Sequence, residues 1–496
     1  MKLLLTKPAY SLKDFRLLPG YTDNGCASRK ISLQTRLCRQ RDDFIYLDLP
    51  FLSAAMRAVT GIDMATALAE LGGVGVFPLG ESIEEQCGKV REVKHYKAGF
   101  QTDIITFSPS QLLLDVKEVI DETSYSIFPV TDTGLFHGKL LGIITDKDFD
   151  SRYDTEMCID ERMKKEVPAG VDVDDLKEAN RLMIQHGHGF LPIVSKEETL
   201  QSVVFKKNLD KHIKHPDATV DGQKRLRVGA AVSTHPEDRE RIKELAENDV
   251  DFLVIDSSDG FTCFQKQSIE WIKENFDTPV IGGNVVTAEA FQMLADAGVD
   301  AIKVGMGIGS GCITQEAKAT GRGQATAIMD VAKARDAYIR GDRYIPIIAD
   351  GGINSPADIA IALAMGADTV MMGNLFARLS ESPGPTHKVN GRHVKEYWME
   401  GSQRARNHKR YSQTRDTFFE EGINGFVPYA GSIYDYLPTS RLRLEASLST
   451  AGVSTIDKLH KNAILELQSP LAQCDSKVHN MIQTDTSIVQ SSLASI

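Results

Sequence analysis

The residues best equipped for chemistry fall in one stretch, Gly305 to Thr314, which reads GMGIGSGCIT. Its four glycines let the backbone flex and approach a ligand closely. In most settings a lone cysteine is a small buried hydrophobe. Cys312 instead follows an apolar run and is flanked by Gly, Ser and Thr, which reads as an exposed thiol able to act as a nucleophile. Farther along, Asp350-Gly351-Gly352-Ile353 and Met371-Met372-Gly373-Asn374 each end an apolar run in glycine. Such loops offer backbone N–H groups to a phosphate, and Asp350 could accept from ribose hydroxyls. Each loop alone reads equally as a tight turn, but together they favour phosphate. Gly401–Tyr411 (GSQRARNHKRY) is basic and a polar stretch ending at Gly422 follows it. This is either a solvated loop or a lid. In it, Arg410 and Tyr411 are adjacent, and an arginine serves as a base only where it is unusually desolvated. His186-Gly187-His188 has no partner Cys or carboxylate at metal-ligand spacing and reads as a turn.

These residues need elements to hold them. Asp251–Asp256, Pro279–Gly283, Asp300–Gly305, Tyr344–Asp350 and Thr369–Gly373 are short apolar runs. Helical spacing over Gln265–Asn275, Ala288–Ala297, Ala325–Tyr338 and Pro356–Met365 separates or follows them. Buried strands alternating with helices predict a parallel sheet covered by helices, as a closed barrel or a doubly wound sheet. Polar and glycine residues gather at the strand ends: Ser257 to Gly260, Gly282 to Asn284, Gly305 to Cys312, Asp350 to Gly352, and Gly373-Asn374. In a barrel all five loops open on one face. The first half begins the same way, with strands at Leu47–Met56 and Gly72–Phe77 around a helix at Met64–Leu71. From about Ile104 to Leu209 the pattern changes to two similar modules, with strands at Ser126–Val130 and Lys139–Thr145, then Gly189–Val194 and Gln201–Phe205. Barrel-like sequence resumes near Arg225. The expected division is 1–99 barrel, 100–222 inserted pair, and 223–496 barrel with loop, flap and C-terminal segment.

Composition sets outer bounds. A chain of 496 residues implies more than one small domain. A net charge of −11 argues against nucleic acid as the main partner. The longest apolar stretches are too short for a bilayer span, and no membrane association is expected. Seven cysteines without CxxC spacing argue for a reducing compartment, and a cytoplasmic location is the expectation.

The Cys312–Ala327 stretch (CITQEAKATGRGQATA) and Arg410-Tyr411 resemble the IMP dehydrogenase / GMP reductase family, and the likeness covers nearly the whole chain. The resemblance implies a (β/α)8 TIM barrel interrupted by a tandem CBS pair (Bateman module). It also implies NAD-dependent oxidation of IMP to XMP through a covalent Cys312 thioimidate. In that scheme Thr314 holds water, Arg410 is the base and Tyr411 supports it. Ser310, Gly351, Gly352, Gly373, Asn374 and Tyr397 hold phosphate, Asp350 holds ribose, and Gly401 and Glu421 complete the substrate side. Asp256, Ser257, Ser258, Asn284, Gly305 and Gly307 line the cofactor side. Thr145 and Asp148 match the CBS pattern for purine nucleotides, with Phe205 and Asn208 at the equivalent positions. A homotetramer is implied, as is a potassium site on Gly307, Gly309 and Cys312. Three departures stand out: Gly311 where the family has Ile or Val, Asn374 where it has Ser, and Asp475–His479 where the potassium ligands lie, with Lys477 as a substitute charge. The alternative within the family is GMP reductase, which runs NADPH-dependent reduction of GMP to IMP. Reductases carry Lys where this chain has Leu79 and usually lack the insertion.

Overall fold

Eight strands of continuous apolar sequence close into a parallel barrel in the computed structural model. The structure describes residues 8–95, 100–101, 104–123, 125–173, 175–187, 189–206, 214–338, 343–405 and 419–476. The strands are β1 (Phe51–Ser53), β2 (Val74–Phe77), β3 (Val228–Val232), β4 (Phe252–Ile255), β5 (Val280–Val285), β6 (Ala301–Val304), β7 (Ile347–Asp350) and β8 (Thr369–Met372). They pair in chain order, and β8 returns to β1. The chain is thus an α/β protein with a TIM barrel, the closed form of the two that the alternating runs left open and the one that the resemblance implies. Every residue of β1, β2, β3, β4, β6 and β8 is buried. A polar interruption in such a strand would need its own partners, so the exceptions, at the strand ends and at Lys303, mark the site.

Helices cover the outside: α1 (Ile62–Glu70), α2 (Ile83–His95), α3 (Asp238–Glu247), α4 (Cys263–Asn275), α5 (Ala288–Asp296), α6 (Gln324–Ala337), α7 (Pro356–Ala364) and α8 (Ile433–Thr450). Side-chain caps fix several starts. Thr262 accepts from the Gln265 N–H, Thr287 from Ala290 and Ser355 from Asp358, the last with Pro356 at the first turn. Each cap stabilises its helix by about 1 kcal/mol, so the loop before each helix has a defined exit from the strand.

Three observations depart from the sequence reading. The expected strand Leu47–Met56 is a barrel strand only over Phe51–Ser53, and Leu47 ends a separate hairpin strand, Asp43–Leu47. The Tyr344–Asp350 run becomes a strand only at Ile347, because Tyr344 is held aside, its hydroxyl bonded to Asp368 at 2.7 Å and its ring under Arg335. Beyond β8, a three-stranded antiparallel sheet forms from Thr386–Val389, Arg392–Trp398 and Asn424–Pro428. Its first turn, Asn390-Gly391, has both φ values positive, which is the hairpin signal an Asn-Gly pair carries.

The described residues divide into two compact units. One comprises the chain to His95, Asp217–Thr219 and everything from Leu226 on; the other comprises Tyr96–Pro216 and Val220–Arg225. The second unit repeats one motif. A helix at Leu113–Thr123 precedes antiparallel strands Ile127–Thr131 and Leu140–Thr145, and a helix at Leu176–His186 precedes Phe190–Val194 and Leu200–Phe205. The register shifts at Val130/Thr131 and again at the equivalent Ile193/Val194. Each half has its own core, around Phe128 and Ile144 and around Leu191 and Val204. Gly187 is the left-handed cap of its helix (φ 68°), the turn role read for this position; His188 lies outside the described residues.

Candidate active site

The C-terminal ends of the barrel strands enclose a cavity of about 170 Å³. Asp256, Ser257, Ser258, Asn284, Gly305, Gly307, Gly309, Cys312, Thr314, Asp350, Gly351, Gly401 and Glu421 all line it. Residues from five strand-end loops and from the segment after β8 therefore meet at one mouth.

Cys312 is half-buried. Its Sγ lies 3.0 Å from the Thr314 hydroxyl, and Thr314 donates to Glu421 Oε2 at 3.2 Å. Lys318 reaches the same carboxylate at 3.5 Å. The thiol, a hydroxyl and a buried carboxylate thus form a continuous path for a proton. Backbone pairing holds the path in register: the Ile313 N–H donates to the Glu421 carbonyl and the Ile423 N–H to the Gly311 carbonyl, both at 3.0 Å. Gly311 also packs under Met399. A Cβ there would meet the Met399 side chain at 3.0 Å, tighter than packed side chains allow without movement.

A second cluster forms the floor. Asp350, the last residue of β7, uses Oδ2 to accept from Lys303 at 2.8 Å and from Asn284 at 3.0 Å. Lys303, on β6, also donates to Asp256 at 3.1 Å. Burial pulls the Lys303 ammonium down, but the two carboxylates outweigh that and hold it above its ordinary value. Asn284 Nδ2 donates to the Gly305 carbonyl at 2.7 Å as well. Its Oδ1 is buried without a hydrogen-bond partner among the described residues, an arrangement that costs roughly 1–3 kcal/mol unless a ligand donates to it.

Ser310, Gly352, Gly373, Asn374 and Tyr397 lie outside that cavity's lining. Tyr397, on the strand Arg392–Trp398, bonds to Ser310, and burial pushes its phenol well above the usual range despite that bond. A Cβ at Gly373 would come within 2.8 Å of the Tyr397 hydroxyl. Gly351 and Gly352 both have positive φ, 87° and 74°, a conformation that glycine adopts freely. Asn374 begins the short helix after β8. Arg410 and Tyr411 lie outside the described residues, as do Asn208 and Lys477.

Sequence reasoning missed Lys303 and a further cavity. This one, of about 370 Å³, is bordered by Ser233, Thr234, His235, Arg239, Phe264 and Trp271, with the Arg239 guanidinium 4.8 Å above the Trp271 ring. The loop from Asp256 to the cap Thr262 runs from the first cavity to the helix carrying Phe264. Trp271 on the predicted helix reads as core and Phe264 lies one residue before that helix, so periodicity gave no hint that they border an opening.

In the second unit, Asp148 Oδ2 accepts from the Thr145 N–H at 2.8 Å and its hydroxyl at 2.7 Å, and Asp148 pairs with Lys164 at 2.8 Å. Burial raises the Asp148 carboxyl, but these partners prevail and hold it below the usual carboxylate range.

Comparison with known proteins is consistent along the chain's whole length. Residues 9–479 match the IMP dehydrogenase / GMP reductase domain. The chain is 39% identical over 491 residues to inosine-5'-monophosphate dehydrogenase of Tritrichomonas foetus, covering 97% of each. It is 37% identical over 465 residues to the enzyme of that name from Schizosaccharomyces pombe, covering 91% of this chain and 87% of the other. Among solved structures, a cysteine-to-alanine variant of GMP reductase from Trypanosoma brucei, in complex with guanosine 5'-monophosphate, superposes with TM-score 0.82 at 27% identity, covering 96% of this chain and 99% of that one. With the Cys312 loop at the mouth of a closed barrel and this likeness extending through it, the chain belongs to the IMP dehydrogenase / GMP reductase family.

Proposed function

We propose that this protein oxidises IMP to XMP with NAD, and that the contact path Cys312–Thr314–Glu421 carries the chemistry. The Cys312 sulfur attacks C2 of the hypoxanthine while its proton passes toward Thr314 and Glu421. NAD, held on the side of Asp256 and Asn284, would supply the oxidant for the hydride that leaves C2. The remaining thioimidate is attacked at C2 by water, the C–S bond breaks, and XMP and the thiol are released. Dividing oxidation and hydrolysis into two steps avoids one difficult displacement. Thr314 positions the water, and Arg410 with Tyr411 serves as the hydrolytic base, an assignment that rests on the resemblance.

The binding roles are proposed from the resemblance, with support from the geometry where it is named. Asp350 has Oδ2 occupied by Lys303 and Asn284, which leaves Oδ1 for a ribose hydroxyl. Ser310, Tyr397 and the glycines 351, 352 and 373 form the phosphate side, with Asn374 next to them. Gly401 and Glu421 flank the purine. Asp256, Ser257, Ser258, Asn284, Gly305 and Gly307 face the nicotinamide. The partnerless Asn284 Oδ1 suits a carboxamide N–H, and the cavity between His235, Phe264 and Trp271 suits the dinucleotide's adenosine half. The Gly307 carbonyl accepts from Gln315 at 2.8 Å and the Gly309 carbonyl from the Cys312 N–H at 3.0 Å. With those oxygens engaged, the loop is closed on itself, and weak potassium dependence is the proposal. The repeated unit is a tandem CBS pair that takes a purine nucleotide at Thr145 and Asp148, and the assembly is a homotetramer.

A second reading, GMP reductase with NADPH, draws on the structural likeness to the Trypanosoma brucei reductase. Against it, Leu79 is buried where reductases carry Lys. Absorbance of the reduced cofactor separates the two. A rise with IMP plus NAD supports the dehydrogenase. A fall with GMP plus NADPH, without activity in the first assay, replaces it with the reductase.

A further inference from the structure

We infer that Lys303 is a positioning residue that holds the ribose carboxylate of Asp350 and the cofactor-side carboxylate of Asp256 as one ionised, aligned pair. This rests on the proposed assignment of Asp350 to ribose.

The geometry is specific. Lys303 is 2% exposed and lies within an otherwise apolar strand. Its Nζ donates to Asp256 Oδ1 at 3.1 Å and Asp350 Oδ2 at 2.8 Å. Room for it comes from Gly283 on the neighbouring strand, where a Cβ would fall 2.7 Å from the Lys303 Cβ. Two carboxylates within hydrogen-bond distance of one nitrogen would repel each other without the cation between them. Like charges this close resist being ionised together, so without the ammonium one carboxyl is pushed up and keeps its proton to higher pH. A protonated Asp350 would lose charge-assisted acceptance of a ribose hydroxyl.

Among the described residues, the other groups named on this side of the cavity are uncharged or acidic. Asn284 on β5 and Gln324 on α6 are uncharged donors. Cys312 and Tyr397 approach as neutral or anionic groups, and Glu400 and Glu421 on the cavity wall add negative charge. Among the described residues, Lys303 is the cation bonded to both carboxylates.

The test is IMP and GMP binding by calorimetry without cofactor, from pH 6 to 9, on the full chain. The wild type sets the reference profile, which carries the ionisation of the nucleotide's own phosphate at pH ~6, and flatness in each variant is read relative to it. Lys303→Met is expected to bind weakly at pH 6 and to recover about tenfold per pH unit until the shared proton is lost. In Lys303→Met with Asp256→Asn, the second charge is gone, and the flat profile is expected to return. Lys303→Arg is expected to keep the flat profile as well. Circular dichroism confirms that each variant is folded. A Lys303→Met profile as flat as the wild type's overturns the inference. So does pH-independent loss of binding that the second substitution fails to restore, since that is the behaviour of a structural lysine. Nucleotide binding is read without turnover, so a mistaken reaction direction shows in the choice between IMP and GMP and leaves the pH test intact. Failure of both nucleotides to bind the wild type overturns the ribose assignment and the inference with it.

Discussion

At the residue scale, the site depends on what surrounds the thiol more than on the thiol itself. Among the described residues, Cys312 is linked to the Glu421 carboxylate through the Thr314 hydroxyl, which gives its proton a path through side chains. Cys312→Ala keeps the cavity and removes the nucleophile. It is expected to bind IMP in calorimetry with wild-type affinity while showing no turnover and no covalent adduct by mass spectrometry after IMP and NAD are added. Measurable turnover would exclude the thioimidate. The sequence made Cys312, Asp350 and the glycine loops legible because their residue types are unusual at strand ends. Lys303 was not legible, because a lysine in an apolar run reads as an interruption. Its inferred role depends on two carboxylates 47 residues away on either side, one just after β4 and one at the end of β7, and one sequence without its fold does not bring them together.

At the scale of elements, glycine governs how closely strands can carry polar groups. Gly283 has φ 151°, and an added Cβ would lie 2.6 Å from the Lys303 carbonyl oxygen. Gly283→Ala is expected to cost about 1–3 kcal/mol. It should lower the thermal midpoint and weaken IMP binding together, because the displaced strand carries Lys303. Loss of stability with unchanged binding would uncouple the two. A buried network elsewhere in the barrel makes the converse point. Lys94 on α2 pairs with Asp251 at 2.8 Å, both 5% exposed, and Arg227 joins at 3.3 Å. Lys94→Met leaves the aspartate short of a partner and is expected to cost roughly 3–5 kcal/mol in chemical denaturation without changing nucleotide affinity. The barrel strands were readable from continuous apolar runs. The antiparallel sheet beyond β8 was not, since its first strand is exposed throughout and carries no apolar alternation, and only Asn390-Gly391 announced its turn.

At the scale of the whole molecule, two units of different construction share one chain. The internal repeat was visible in sequence because both halves keep the same order of helix, strand and strand, and the structure extends the match to the irregularity in each strand pair. Asp148 tests what this unit contributes. Its carboxyl is held below the usual range by Lys164 and Thr145. The stabilisation is therefore fully present above the ordinary carboxylate value of about 4 and is lost as pH falls through the lowered one. Asp148→Asn is expected to remove that acid dependence from the unfolding of this unit, followed by hydrogen exchange. It is also expected to abolish heat of binding with ATP, GTP, AMP or GMP. Undiminished heat would place the nucleotide elsewhere.

The barrel seam between β2 and β3 has a consequence for how the molecule is made. Gly75 and Val228 face each other in register, yet the second unit lies between them in sequence. Loop-closure entropy grows only logarithmically, about 0.6 kcal/mol per doubling of length, so the finished barrel tolerates the interruption. Assembly is another matter, because contacts between distant segments form slowly. On a ribosome, β1 and β2 emerge early and wait, with open edges, for the whole repeated unit to be synthesised before β3 can join them. The expected order of events is that the repeated unit folds first, and that the two oldest strands of the barrel are among the last to find their partners.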